Sequence, residues 1–150
     1  MKSSKIASIY LTFISFCIGQ LPIDLNQNNS FYQTVNLESS GEYLINIDLS
    51  SNTSWEEENN ESAILTLFVN NVYNQDIVIY NGSDIHTYQQ AIGFLESGIY
   101  EFEYYFDYEK SSINATNIHI ENINMINSTT TNIDQDVFKY SPVLYGRNIF

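Results

Sequence analysis

Alternation with a period of two runs through most of this chain. In "EYLINIDL", residues 42–49, Tyr43, Ile45, Ile47 and Leu49 share one face while Asn46 and Asp48 share the other. The longest case is "GIYEFEYYFDYEK" at 98–110, where Tyr100, Phe102, Tyr104, Phe106 and Tyr108 fall on alternate positions and Glu101, Glu103 and Asp107 fill most of the gaps. One apolar and one polar face is what a strand packed on one side needs. "FYQTVNL" at 31–37, "DIVIYN" at 76–81 and "TYQQAIGFL" at 87–95 read as further strands, the last interrupted at Gly93. "AILTLFVN" at 63–70 is more continuously apolar and predicts a strand buried on both sides or in a central position. In "TNIHIENINM" at 116–125 the apolar set slips by one residue, from Ile118 and Ile120 to Ile123 and Met125. A slip of that kind predicts a β-bulge near Asn122.

Turn signals separate these runs: "SSG" at 39–41, "NN" at 70–71, "NGSD" at 81–84 and "ESG" at 96–98. No stretch carries a helical period. Seven or so short strands at regular spacing predict an all-β, antiparallel β-sandwich, jelly-roll or immunoglobulin-like. In a sandwich the aromatic row at 100–108 is the one apolar face its strand offers, so it is expected to be core, with Tyr104 or Tyr108 emerging at the strand end. The alternative is an exposed aromatic platform. Glu101 and Glu103 then fall on the outer face.

The first nineteen residues stand apart. "MKSSK" is basic, Ile6 to Ile18 is mostly apolar, and Gly19 offers a small residue before Gln20. That layout predicts a cleaved signal peptide over 1–19 and a secreted, extracellular product. The apolar run is about thirteen residues, short of the ~20 a spanning helix needs, and no transmembrane segment is expected in the mature chain. The sandwich is expected over 20–126, followed by a polar linker at 127–136. An apolar C-terminal segment at 137–150 reads as the start of a further element. The one cysteine, Cys17, lies in the leader, so the mature domain is held by packing rather than disulfides.

Without the leader, Lys110, Lys139 and Arg147 face eighteen carboxylates, a net charge of −15. Such a surface repels phosphate backbones, so no nucleic-acid partner is expected. Six of nineteen asparagines begin Asn-x-Ser/Thr sequons: Asn28, Asn52, Asn60, Asn81, Asn114 and Asn127. All six lie between apolar runs, where N-glycosylation in a eukaryotic host is expected.

The runs "ILTLFVNN", "DIVIY", "YQQAIGFLESGIYEFEYYFD" and "NIHIENI" resemble the second half of jelly-roll carbohydrate-binding modules and galactose-binding-like domains, over residues 63–124. The shared element is Leu-x-x-Gly-x-Tyr ahead of a long aromatic strand, here Leu95, Gly98 and Tyr100. The resemblance implies a noncatalytic binding or adhesion module with carbohydrate as the favoured ligand. It carries over no ligand residue.

The residues themselves argue in the same direction. His86 and His119 are the only histidines, and neither lies in a triad or metal spacing, so no enzyme is expected. Sugars offer C–H faces and hydroxyls, and so need an aromatic plane beside hydrogen-bonding groups. Trp55, the only tryptophan, sits in the polar loop "SSNTSWEEENNES" with Asn52, Glu56 and Asn59 beside it. The alternative for Trp55 is a plug at the end of the sandwich, since large aromatics are usually mostly buried. No organic cofactor is expected, but calcium is possible because it takes oxygen ligands, with Glu57, Glu58, Glu61, Asp76 and Asp107 as candidates. The alternative there is a solvated acidic loop. The expected partner is a glycan or an extracellular protein. A ligand-free accessory domain of a larger secreted protein is the second reading, and a hydrolase the third.

Overall fold

The computed structural model describes residues 20–128. The expected leader, the apolar C-terminal segment and all but the first two residues of the expected linker lie outside them. Eight strands run in chain order: β1 Ile23–Asn26, β2 Ser30–Leu37, β3 Gly41–Ser51, β4 Ala63–Val69, β5 Val72–Ile79, β6 His86–Leu95, β7 Gly98–Phe106 and β8 Asn117–Asn127. They form two antiparallel sheets, ordered β1-β8-β3-β6 and β2-β7-β4-β5. Only β4 and β5 are chain neighbours within one sheet; every other connection crosses between sheets, four at one end of the sandwich and two at the other. No helix among the described residues is long and apolar enough to cross a membrane.

The core lies between the sheets and is supplied by the alternating faces. Phe102, Tyr104 and Phe106 of β7 are fully buried and meet Ile45, Ile47 and Leu49 of β3 and Ile118 and Ile120 of β8 in one cluster. Burying each large side chain is worth about 1.5–3 kcal/mol. The expectation that Tyr104 emerges at the strand end is corrected. Its ring stacks on Phe31 at 5.8 Å, and its hydroxyl donates to Gln33 Oε1 at 3.2 Å. Burial pushes that phenol far above its ordinary range. Leaving the polar end of a tyrosine inside is tolerable because one acceptor reaches it.

The phase slip in β8 is a bulge. Asp48 pairs with Asn122 and Leu49 with Ile120, so Glu121 is the extra residue. A second bulge in β6 leaves Ile92 unpaired beside Gly93, whose φ of 109° only glycine adopts without strain. A third, at Asn74, lies where β5 is exposed and its alternation is lost. Asn70 and Asn71 both have positive φ, 50° and 63°. Two such residues make the tight turn that matches strand twist, and they close the β4–β5 hairpin.

Strand β1 is an element that alternation did not predict. Four residues behind Pro22 are too few to show a period, yet Leu25 is buried and the strand pairs with β8 from Ile23↔Ile120 to Asn26↔Asn117. β8 itself runs to Asn127, which is a strand residue rather than the first residue of a loop.

Candidate functional site

Four connections gather at one end of the sandwich: 27–29, 52–62, 80–85 and 107–116. The register places them there, since Leu49 pairs with His86, Ser51 with Ile118, Ala63 with Ile79 and Ser30 with Tyr105. The longest, 52–62, is polar and acidic but firmly built. Thr53 is fully buried, and its hydroxyl donates to Ile79 O at 2.9 Å while sharing a short hydrogen bond with the Ser51 hydroxyl. Gly82 N donates to Thr53 O at 2.6 Å, and Ser54 N donates to Asn60 O at 2.8 Å. Ser54 forms an isolated antiparallel bridge with Asn81. These paired hydroxyls and backbone groups hold the loop in one conformation, although Asn60 Oδ1 is buried without a hydrogen-bond partner among the described residues. This loop therefore presents what it carries in a fixed place.

It carries Trp55, which is 66% exposed. Of the two expectations for this residue, the plug is the one the structure overturns. The indole lies on the Tyr80 ring, 4.4 Å between centroids and tilted by 30°. Tyr80 in turn meets Tyr88 edge-on at 6.4 Å. Such pairs contribute roughly 0.5–1.5 kcal/mol beyond area burial, which biases the exposed ring toward this pose. Ser54, Trp55, Glu56, Tyr80 and Asn81 border an open depression of about 410 Å³. An aromatic shelf flanked by a carboxylate, an amide and a hydroxyl suits a ligand with C–H faces and hydroxyls.

The four expected ligand residues divide. Trp55 and Glu56 border the depression. Asn52 does not, because its side chain is used in holding two loops together: Nδ2 donates to Asn114 O at 2.8 Å, and Oδ1 accepts from Thr116 N at 2.9 Å. Asn59 is exposed with φ of 62° and serves the turn. Ser54, Tyr80 and Asn81 escaped sequence reasoning. The only signal for Tyr80 and Asn81 was their place at a strand end before a turn; nothing local says that this turn lies against Trp55.

The five carboxylates considered for calcium are not one donor set. No cluster of three or more acidic, His or Cys groups suited to a metal occurs among the described residues. Asp76 and Asp107 do meet, from β5 and the end of β7, but around an ammonium: Lys110 Nζ lies 3.0 Å from each. Thr66 Oγ1 donates to Asp76 Oδ1 at 2.7 Å. Hydrogen bonds to Asp107 and Asp76 hold the Lys110 amine above its ordinary range. Glu57 accepts from Asn60 Nδ2 at 2.9 Å, and Glu58 faces solvent. Glu61 accepts from Ser112 Oγ at 2.9 Å; backbone N–H groups and that hydroxyl hold its carboxyl below the usual range.

The sequons also divide. Asn60 is buried, and its Nδ2 donates to Asn52 O at 2.6 Å. Asn52 is engaged as above, and Asn127 Nδ2 donates to Ser39 Oγ at 3.1 Å and to Tyr43 OH at 3.2 Å. The expectation that all six sit in open loops is thus corrected for Asn60 and Asn127. The amide nitrogens of Asn28, Asn81 and Asn114 donate to nothing among the described residues.

No family model matches the chain, and no curated protein matches it. Solved structures do. A family 36 carbohydrate-binding module domain of a multidomain xylanase, from the hindgut metagenome of Trinervitermes trinervoides, superposes with a TM-score of 0.54 at 15% identity over 69% of this chain and 75% of that one. A family 36 module solved with calcium and xylotriose gives 0.54 at 12% identity, covering 69% and 78%. A family 35 module from an environmental isolate gives 0.53 at 13% identity, covering 67% of each chain. At such identities the likeness concerns the fold. This chain has the jelly-roll fold of carbohydrate-binding modules, and the immunoglobulin-like alternative falls away.

Proposed function

We propose that this chain is a secreted, noncatalytic carbohydrate-binding module that seats its glycan on the Trp55–Tyr80 shelf. The single observation that carries the reading is the exposure of the sole tryptophan, 66%, on a loop pinned by buried hydroxyls. A large aromatic that a fold spends its anchoring on, and leaves in water, is placed for a partner. The fold supports the same reading, since the similar structures are described as carbohydrate-binding modules. The basic and apolar leader supports secretion.

Binding would proceed without covalent chemistry. One sugar face lies on the indole, and Glu56, Ser54 and Asn81 are within the same depression to meet hydroxyls. The pinned loop limits the ordering cost of association, which is what preorganisation does. A similar module was solved with calcium and xylotriose. In this chain Lys110 already neutralises Asp76 and Asp107, so those residues do not fit a calcium ion, and the shelf is expected to act without one.

A glycan array probed with the mature protein, with and without calcium, tests the reading. Binding that survives chelation and falls about tenfold or more in Trp55→Ala, the equivalent of roughly 1.4 kcal/mol, supports it. Absence of binding across the array would favour a ligand-free accessory domain, and turnover of an arrayed glycan would make the protein a hydrolase.

A further inference from the structure

Asn81 is at once an acceptor sequon, Asn81-Gly82-Ser83, and a wall of the Trp55 depression. Its bridge partner, Ser54, is the residue before Trp55. Adjacent strands lie about 4.8 Å apart, so the Asn81 backbone lies about one strand spacing from Ser54, the residue before Trp55. Of the three sequons whose amide nitrogen is unengaged, Asn28 and Asn114 do not border the depression. Asn81 does, and Tyr80 beside it already supports the indole.

From this juxtaposition we infer that Asn81 carries an N-linked glycan whose first sugars lie on Trp55, so that the domain covers its own shelf. The inference rests on the reading of that shelf as a glycan seat. In the transfer step Asn81 Nδ2 attacks C1 of an oligosaccharide linked to a polyprenyl diphosphate. The N–C1 bond forms, the C1–O bond to the diphosphate breaks, and Nδ2 loses one proton as the lipid diphosphate departs. The sugar nearest the protein then begins at the edge of the depression, with its apolar face free to meet the indole. Because it is tethered, it competes with any free glycan at an effective concentration in the millimolar range. A module glycosylated at Asn81 is closed to weak free ligands, and one left bare is open.

Ser83→Ala isolates the effect. It removes the sequon, keeps Asn81, and alters an exposed residue that does not border the depression. Trp55 is the only tryptophan, so its fluorescence reports this site alone. The parent and Ser83→Ala are secreted from the same N-glycosylating eukaryotic cells, leaving the other sequons equal. Peptide mapping should find Asn81 occupied in the parent. Acrylamide should quench Trp55 less in the parent than in Ser83→Ala, and free glycans on the array should bind the parent about tenfold more weakly. Asn81 found bare while Asn114 is occupied, or equal quenching in the two proteins, overturns the inference. Shielding of Trp55 in the parent together with no array binding by Ser83→Ala supports self-covering and overturns the proposed function.

Discussion

Two groups of aromatic side chains in this domain are built from the same chemistry and used in opposite ways. On β7, Phe102, Tyr104 and Phe106 are fully buried, held by the opposite sheet, and their positions follow from strand alternation. At the loop end, Trp55 is held by one ring and a set of hydroxyl and backbone hydrogen bonds, and stays largely in water. The row on β7 is buried in the core, whereas Trp55 lies largely in water. An aromatic stripe is therefore no evidence of a ligand platform, whereas an aromatic that is rigidly supported yet uncovered is.

Truncation in the two groups should separate them most sharply. Phe102→Ala leaves a cavity in the core and should cost ~3–5 kcal/mol in urea unfolding, a large part of a domain's ~5–15 kcal/mol. Trp55→Ala should change the same curve by only about 0.5–1.5 kcal/mol, the contribution of its contact with Tyr80, since most of the ring is already exposed. If Trp55→Ala unfolds at as low a urea concentration as Phe102→Ala, the shelf is structural and the contrast collapses.

The shelf's anchor ranks next. Thr53→Val removes the hydroxyl that donates to Ile79 O and joins Ser51. Unpairing buried groups costs about 1–3 kcal/mol. Stability should fall by that amount, and Trp55 fluorescence should become more readily quenched. Unchanged quenching would show that the Tyr80 contact alone fixes the indole.

The outer face of β7 offers a smaller contrast. Glu101 is exposed, and Glu101→Ala should change stability by less than about 0.5 kcal/mol. Glu103 accepts from Ser30 Oγ at 2.6 Å and from Tyr32 OH at 2.9 Å. Hydrogen bonds to a charged acceptor contribute about 1.5–3 kcal/mol where buried, and this half-exposed pair should give less, yet more than Glu101. Equal unfolding curves for the two alanine variants would mean these bonds contribute nothing net.

The smallest effect expected is a pH dependence. His119 Nδ1 lies 2.7 Å from Asp24 Oδ1 and Nε2 lies 3.1 Å from Glu121 Oε2. The bond to Asp24, then that to Glu121, raises the imidazole above its ordinary 6.5. A raised folded value means the proton is held more tightly in the native state. The gain is full below pH 6.5 and is lost as pH climbs through the raised value. His119→Gln should flatten that slope in unfolding curves taken on either side of it. The groups are solvent-screened, so the slope itself is shallow.

Much of the sandwich was legible because its cause is local. Side-chain period, with a continuous apolar run for β4 and a short β-branched run for β5, predicted seven of the strands, and even a bulge near Asn122, one residue from the extra Glu121, since an extra residue moves every later side chain to the other face. Strand β1 was not legible: its four residues gain their place by pairing with β8, a partner about a hundred residues away. The early part of β5 was hidden by its own bulge at Asn74. At the site, Trp55 and Glu56 could be named because a tryptophan in a polar loop is unusual. Tyr80 and Asn81 could not, because the bridge that brings them to Trp55 is tertiary. Asn52 misled for the opposite reason: proximity in sequence says nothing about a side chain that turns away to hold another loop.

Lys110, met above as the counterion of Asp76 and Asp107, is also the only lysine or arginine among the described residues. A trypsin-like protease thus has a single bond to attack in the folded body, Lys110–Ser111. That bond is guarded, because Ser111 Oγ accepts from Ile64 N at 2.8 Å and donates to Asp107 O at 2.6 Å. The same scarcity governs how the protein can be handled. Coupling to a solid support through the Lys110 amine would grip the sandwich body in the connection that follows β7, at the end that bears Trp55. Molecules fixed that way would share one orientation, with their shelf turned toward the support.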